Sequence, residues 1–533
     1  LFIHDDWKAT PKLTLNLGLR YELEGATTER FDRNVRGFDA TAASPVEAAA
    51  RAAYAASPIP QIAPANFLVR GGLLFAGAGN RGFWEPDRNN FQPRVGFAYQ
   101  WDSKTVVRGG WGLYMVPFVL DGIQQPGFSQ ATNIVPTANT GLTFRANFAD
   151  PFPDGVADPP GASQGLATFI GRAVEFVPVE RKNGQAQRWS IGVQRELPGD
   201  WLVEASYVGN LGYDLEDEIE LNSIPLQFLS TRTVRDQATI DFLTANVTNP
   251  FRGLAPGTNH NNATIQRQQL LRPFPQFTTV TSRSYGGGSI YHSGQFRAER
   301  RFSAGYTILA SYTWSKFLQD VANFRDFGVE KTRVIALDDA PHRLVASGIY
   351  ELPFGKGRRW GRNWGKLTNA LLGGFQVQGI WQYQSGRPIN WGNVFYNGDP
   401  TQLRTNIDGA TVDATFDTSG FYFTDAAVQT NGVIDPAKQR ADQRIRLANN
   451  VRYFPLRMSG FRGQPYHESH LSMIKRVYFT ESVNLELRGE LINAFNHPQF
   501  NNPNVDPTSS NFGRATSMAN LPRNIQLGAK LVF

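Results

Sequence analysis

The chain has 533 residues, no cysteine, 51 glycines and a formal net charge of +7, which excludes a disulfide scaffold and any thiolate metal site. Mean hydropathy is −0.35, and no apolar run approaches the roughly 18 residues of a membrane helix. A helical inner-membrane protein is thereby excluded, but a β-barrel is not, because its lipid-facing and lumen-facing residues alternate and average out.

The chain begins at Leu1 with no signal peptide before it, and the strand-like opening from Leu1 to Trp7 reads as a cut through a longer protein. From Leu13 to Leu23, Leu13, Leu15, Leu17, Leu19, Tyr21 and Leu23 share one face, against Thr14, Asn16, Gly18, Arg20 and Glu22 on the other. A helix would need apolar residues at i+3 and i+4 instead. Val107 to Met115 repeats the pattern, with Val107, Trp111, Leu113 and Met115 together. Gln187 to Leu197 and Trp201 to Tyr213 form a pair around Pro198-Gly199-Asp200, and Ile290 to Phe302 and Tyr306 to Lys316 another around Ser303-Ala304-Gly305. Phe375 to Tyr383 sets Phe, Val, Gly, Trp and Tyr against Gln376, Gln378, Ile380 and Gln382. Val483 to Leu491 does the same against Asn484, Glu486, Arg488 and Glu490.

Charges such as Arg20, Glu486, Arg488 and Glu490 on the second face could not enter a solid apolar core. A watery lumen accepts them; a sandwich that exposes this face to solvent is the competing account. The strands also outrun the usual soluble strand of about 5 to 6 residues. Aromatics near strand ends, among them Tyr21, Tyr99, Trp101, Tyr114, Trp201, Tyr213, Tyr291, Trp314, Tyr350, Tyr383, Tyr478 and Phe479, predict an interfacial girdle.

Connections alternate. Ala9-Thr10-Pro11, Asp102-Ser103-Lys104, Pro198-Gly199-Asp200, Ser303-Ala304-Gly305 and Thr480-Glu481-Ser482 are short. The stretches 25–90, 117–184, 214–288, 317–340, 387–468 and 496–521 are long and rich in Asn, Pro, Gly, Thr and Asp. Outer-membrane barrels have short periplasmic turns and long extracellular loops. Counting back from a last strand that points to the periplasm, every short turn falls on the periplasmic side, provided Pro353 to Gly374 is an enlarged periplasmic turn. The count is about 13 strands, odd where bacterial barrels are even.

Four motifs carry weaker chemistry. Gly77-Ala78-Gly79-Asn80-Arg81-Gly82 matches the dinucleotide fingerprint in spelling, but Pro86 breaks any helix after it, so a flexible extracellular loop is expected. Gly355 to Lys366, GKGRRWGRNWGK, is the one concentrated basic-aromatic stretch; with no nucleic-acid motif around it, it reads as a solvated turn, and no nucleic-acid partner is expected. Asp338, Asp339 and His342 could form an acid–base cluster but read as a turn at the barrel rim. His467 and His470, three apart in a strand, face opposite sides and miss the i, i+4 zinc spacing. No nucleophile elbow is present, and neither an enzyme, a metal nor a cofactor is expected.

The last eight residues alternate strictly, with Leu527, Ala529, Leu531 and Phe533 on one face and Gln526, Gly528, Lys530 and Val532 on the other. An isolated reading allows a soluble edge strand. A barrel-closing strand fits better, with apolar side chains toward lipid. The segment resembles the C-terminal signal read by the bacterial barrel-assembly machinery, with Gln526, Gly528, Leu531 and Phe533 in its places.

Seven stretches in order resemble the C-terminal barrel of TonB-dependent outer-membrane receptors, most closely the Oar-like group with a carboxypeptidase-regulatory-like domain. They are DDWKATPKLTLNLGLRYE, FQPRVGFAYQW with KTVVRGGWGLYM, QRWSIGVQRELPGDWLVEASYVGNLG, FSAGYTILASYTWSKFLQD, DDAPHRLVASGIYELPFGKGR, LELRGELINAFNHPQFNNP and FGRATSMANLPRNIQLGAKLVF. The resemblance implies an all-β, antiparallel transmembrane barrel of about 22 strands, of which residues 1–533 are the C-terminal portion, the plug and N-terminal domains lying upstream. It implies residence in the outer membrane of a Gram-negative bacterium and contact with membrane lipid. It also implies energy from the TonB complex through the upstream part, and uptake of a bulky nutrient such as a siderophore or oligosaccharide. An Oar-like surface adhesion or export-linked role is the alternative, and a soluble β-rich binding protein the third account.

Overall fold

The computed structural model describes residues 1–117, 125–132, 134–138, 141–303, 305–321, 331–405, 411–421, 429–430, 433–434, 444, 446–480 and 482–533. Ala304 and Glu481, in two of the expected turns, and parts of the long connections lie outside them.

Among the described residues, thirteen strands follow one another in a single antiparallel meander. They are β1 Phe2–Thr10, β2 Leu13–Tyr21, β3 Phe91–Gln100, β4 Thr105–Val116, β5 Gly184–Leu197, β6 Trp201–Glu220 and β7 Val280–Ser303. The wall continues with β8 Tyr306–Val321, β9 His342–Glu351, β10 Phe375–Gln384, β11 Tyr466–Tyr478, β12 Asn484–Ile492 and β13 Asn524–Val532. Two short strands join the same sheet, Val174–Phe176 parallel to β7 and Thr332–Ile335 beside β8. Among the described residues, β1 and β13 each pair on one side only.

Register carries the sequence alternation across the whole wall. Leu15 opposes Phe97, Val95 opposes Trp111, Trp111 opposes Trp189, and Ile191 opposes Tyr207. The same apolar face continues through Ala205–Phe296, Phe296–Tyr312, Val377–Met473 and Leu485–Leu531. It is open to the surroundings: Ile191 is 53% exposed, Met473 52% and Leu527 82%. The opposite face pairs Arg20 with Gln92, Gln194 with Glu204, Glu204 with Arg297 and Glu486 with Lys530. A sheet apolar on one face and charged on the other is the wall of a barrel that separates lipid from a watery lumen.

The girdle expectation needs correction at three positions. Tyr114 opposes Ala186, Tyr291 opposes Phe317, and Tyr478 opposes Asn484, all on the lumen face. Position near a strand end does not decide the face; parity does.

Strands β6 and β7 also run further than expected, at 20 and 24 residues. That exceeds the roughly 9–11 residues of a membrane crossing. After a register irregularity between Gly212 and Leu215, Glu216 to Glu220 pair with Thr281 to Tyr285 as a ribbon on the long-loop side.

The long connections are not loose. They hold the helices α1 Glu47–Ala56, α2 Gln237–Thr244 and α3 Arg267–Leu270, and the small two-stranded sheets Val35–Ala43 with Arg70–Phe75 and Asn246–Thr248 with Thr264–Gln266. Asp236 caps α2 by accepting from the Thr239 N–H. A fourth helix, α4 Lys366–Leu372, lies on the opposite side, between β9 and β10.

Among the described residues, three apolar clusters are buried in the long connections. One joins Tyr54 and Phe67 to Leu243, Phe251 and Leu270. A second joins Val35 and Leu73 to Val174, Phe274 and Phe277. The third centres on Trp391, packed with Phe416, Phe421, Phe454, Phe461 and Phe512. The glycine-rich segment 77–82, expected to be a flexible loop, is pinned. Arg36 donates to Gly82 O at 2.6 Å, Arg81 pairs with Asp32, and Trp84 just beyond is buried under Arg181 at 4.4 Å. A strand precedes the glycines but no helix follows them, so the dinucleotide geometry is absent.

Candidate ligand-binding lumen and mouth

Alternation in β10 to β12 places one row of polar side chains on the lumen face. Arg476 donates to Gln376 at 3.2 Å and to Glu486 at 3.0 Å. Arg488 bridges Glu486 at 2.9 Å and Glu490 at 3.5 Å. The ladder alternates in sign, so each charge has a partner while one edge stays open to the lumen. Across the wall, Tyr114 lies under the guanidinium groups of Arg94 at 4.4 Å and Arg188 at 5.5 Å, a cation–π stack available because Tyr114 points into the lumen.

Toward the long-loop end, β9, β10 and β11 open onto a cleft of about 510 Å³. Arg343, Gln382, Gln384, Tyr466, Gln499 and Asn501 are among its lining. Gln499 Nε2 donates to Pro465 O and His467 O, and Gln464 Oε1 accepts from the Phe500 N–H, so the 496–521 connection is fastened to the rim. Amides and guanidinium groups in one concavity suit a ligand rich in hydroxyl or anionic oxygens. Below it lies an apolar belt on the same lumen face, where Leu309, Ile349, Ile380 and Ile492 line a second cleft of about 530 Å³.

The rim is locked by a residue pair that spacing could not reveal. Asp339 is fully buried; it accepts from Arg462 at 2.6 Å and from the Phe317 N–H at 2.6 Å, while Arg462 also donates to Asp339 O and Gly386 O. The alternative acid–base cluster of Asp338, Asp339 and His342 therefore does not form. Asp338 pairs with Arg387 at 2.9 Å, and His342 Nδ1 contacts the Tyr312 hydroxyl at 2.8 Å. A rim turn is what these residues build, and the Arg462 partner lies 123 positions away.

His467 and His470 diverge as expected: His467 opposes Tyr383 and His470 opposes Ile380, on opposite faces. His467 meets His497 instead, ring centroids 5.0 Å apart. Among the described residues no group of three potential metal ligands occurs.

Of the expected assembly-signal residues, Gln526 opposes Glu490 and Gly528 opposes Arg488 on the lumen face, while Leu531 opposes Leu485 on the lipid face. Phe533 follows the end of β13 and is 93% exposed.

The family model of the outer membrane beta barrel domain matches residues 1–526. No curated protein sequence matches the chain. Among solved structures, the chain aligns over its full length with the pyoverdine outer membrane receptor FpvA from Pseudomonas aeruginosa PAO1, at 10% identity and a TM-score of 0.39, covering 41% of that protein. It likewise aligns with the ferric-catecholate import receptor Fiu from Escherichia coli K12 at 10% identity and 0.38, covering 44%. The siderophore receptor PirA from Acinetobacter baumannii gives 8% identity and 0.38, covering 45%. The chain spans less than half the length of each.

Proposed function

The chain belongs to the outer membrane beta barrel domain family, and from that premise we propose that it is the wall and extracellular cap of a receptor that takes up a bulky polar nutrient. It resides in the outer membrane of a Gram-negative bacterium. The observation that carries the proposal is the charged lumen face ending in an amide- and arginine-lined mouth under packed loops. In this reading, ligand meets Arg343, Gln382 and Gln384 first and then passes the charge ladder. Among the described residues β1 and β13 each pair on one side only, which supports a larger barrel closed by further strands, with residues 1–533 as its C-terminal portion. The apolar belt on the lumen side is the seat for a plug, and energy comes from the TonB complex through that upstream part. Gln526, Gly528, Leu531 and Phe533 serve as the signal for the barrel-assembly machinery.

The test is growth of the native host on a panel of ferric siderophores and oligosaccharides as sole iron or carbon source. Loss of growth on one compound, both without TonB and with Arg343→Ala plus Gln384→Ala, is the expected result. Growth that survives loss of TonB overturns the reading. The buried aromatic cluster around Trp391 favours a second reading, surface adhesion, because a rigid loop cap is a ready docking face. A loop deletion that abolishes attachment and spares uptake would favour it.

A further inference from the structure

The connection between β9 and β10 differs from the other short-side turns. Between Leu352 and Gly374 it carries Lys356, Arg358, Arg359, Arg362 and Lys366 and no carboxylate. It is ordered by its own backbone. Gly355 N donates to Trp360 O at 2.8 Å, Trp360 N to Pro353 O at 2.9 Å, and Lys356 N to Asn369 Oδ1 at 2.7 Å. Phe354 and Trp360 lie with ring centroids 5.1 Å apart.

This fold leaves apolar surface uncovered. Trp360 is 50% exposed, and on α4 Leu367 is 76%, Leu371 63% and Leu372 55% exposed. Leu367 and Leu371 are four apart and share one helix face. A turn that merely needed to be soluble would not order three leucines and a tryptophan in water among five cations. The flanking residues continue the lipid face of the wall: Tyr350 opposes Val377, and Phe375 opposes Lys475, whose ammonium lies 4.3 Å from the Phe375 ring. Apolar groups beside a band of Lys and Arg, next to a lipid-facing surface, are the composition of an element that lies in a membrane interface. Cations there are drawn to anionic headgroups. Short turns face the periplasm, so the leaflet within reach is the phospholipid leaflet.

We propose that Phe354 to Leu372 is a lipid-docking foot, in which Leu367, Leu371 and Trp360 enter the periplasmic leaflet of the outer membrane while Lys356, Arg359, Arg362 and Lys366 hold anionic phospholipid headgroups. Arg358 is engaged with Glu351 at 2.6 Å and positions the turn against β9. The inference rests on the barrel topology, not on any transported ligand.

Residues 1–533 contain no cysteine, so one introduced thiol labels the foot once any cysteine elsewhere in the protein is changed to serine. The full-length protein with Leu371→Cys, labelled with a polarity-sensitive fluorophore, is reconstituted in phosphatidylcholine and in an equimolar phosphatidylcholine–phosphatidylglycerol mixture. The expected result is a blue-shifted emission quenched by brominated lipid in the mixture, lost when Lys356, Arg359, Arg362 and Lys366 are all changed to Gln. Heat-modifiability checks that this variant still forms its barrel, since the four side chains are exposed. Water-like emission in both lipids overturns the proposal. Equal burial in both overturns the anionic part. A shift that needs added periplasmic extract assigns the foot to a protein partner and overturns it as well.

Discussion

The wall and the loop cap are stabilised by different physics within one chain. Every member of the three buried clusters except Val280, at the loop end of β7, lies outside the thirteen wall strands. The wall has no interior of its own. Apart from the lumen-side belt of Leu309, Ile349, Ile380 and Ile492 and end-of-strand cations such as Lys475, its apolar side chains face lipid and its charged ones the lumen, and its backbone groups pair between neighbouring strands, the arrangement that a bilayer demands. The cap is a water-facing body and coheres by burying Trp391, Phe277 and Phe251 as a soluble domain would. The contrast teaches that perturbations should separate cleanly. Changes at strand faces should act on assembly and membrane insertion, and changes in the clusters should act on the cap while the wall persists.

The largest separation is expected at the last residue. Phe533→Asp should reduce heat-modifiable, outer-membrane protein several-fold, mainly by loss of recognition, because the insertion penalty near the interface is only about 0–1 kcal/mol. Normal levels would remove the assembly role from Phe533. Next, Trp391→Ala should destabilise the cap by about 3–5 kcal/mol, read as faster protease cleavage of the 387–468 connection with unchanged heat-modifiability. Simultaneous loss of both would mean that wall and cap fold as one unit. Asp339→Ala should cost the rim about 3 kcal/mol, since it leaves the Arg462 guanidinium without its buried carboxylate; the same protease assay measures it.

Acidification gives a smaller effect confined to the cap. Burial holds the His260 imidazole below its ordinary value; the Pro275 carbonyl opposes this and Arg272 adds to it. The folded cap thus favours neutral His260, and its stabilisation is complete above about pH 6.5, the unperturbed value. It falls as pH drops from there toward the depressed folded value. Amide protection in the 221–279 connection, corrected for the pH dependence of intrinsic exchange, should fall between pH 7.5 and 5, and His260→Gln should flatten that dependence. The smallest effect belongs to the exposed lumen ladder. Arg488→Gln should change wall stability by under about 1 kcal/mol, measured as the temperature at which heat-modifiability is lost.

Residue alternation alone made the wall legible. Period two, set by the backbone pleat, is a local property, so Leu13 to Tyr21 or Phe375 to Gln384 can be recognised without knowing any partner. The loop lengths then placed short turns and long connections on opposite sides, and the number of strands followed. The same local signal failed where its conditions lapsed. The stretch Asp214 to Glu220 reads as loop because five of its seven residues are carboxylates, and only pairing of Glu216 to Glu220 with Thr281 to Tyr285 makes it strand. Tyr114, Tyr291 and Tyr478 were misplaced because composition near a strand end carries no parity. The cap was invisible because its contacts are non-local and aperiodic: Trp391 meets Phe512, and Asp339 meets Arg462, through chain folding that no spacing rule encodes. The sequence by itself determined the repeating wall, because each strand declares its faces within a few residues. Only the tertiary structure decided the cap, the mouth and the rim lock, because burying an apolar group or a charge depends on what the rest of the chain brings beside it.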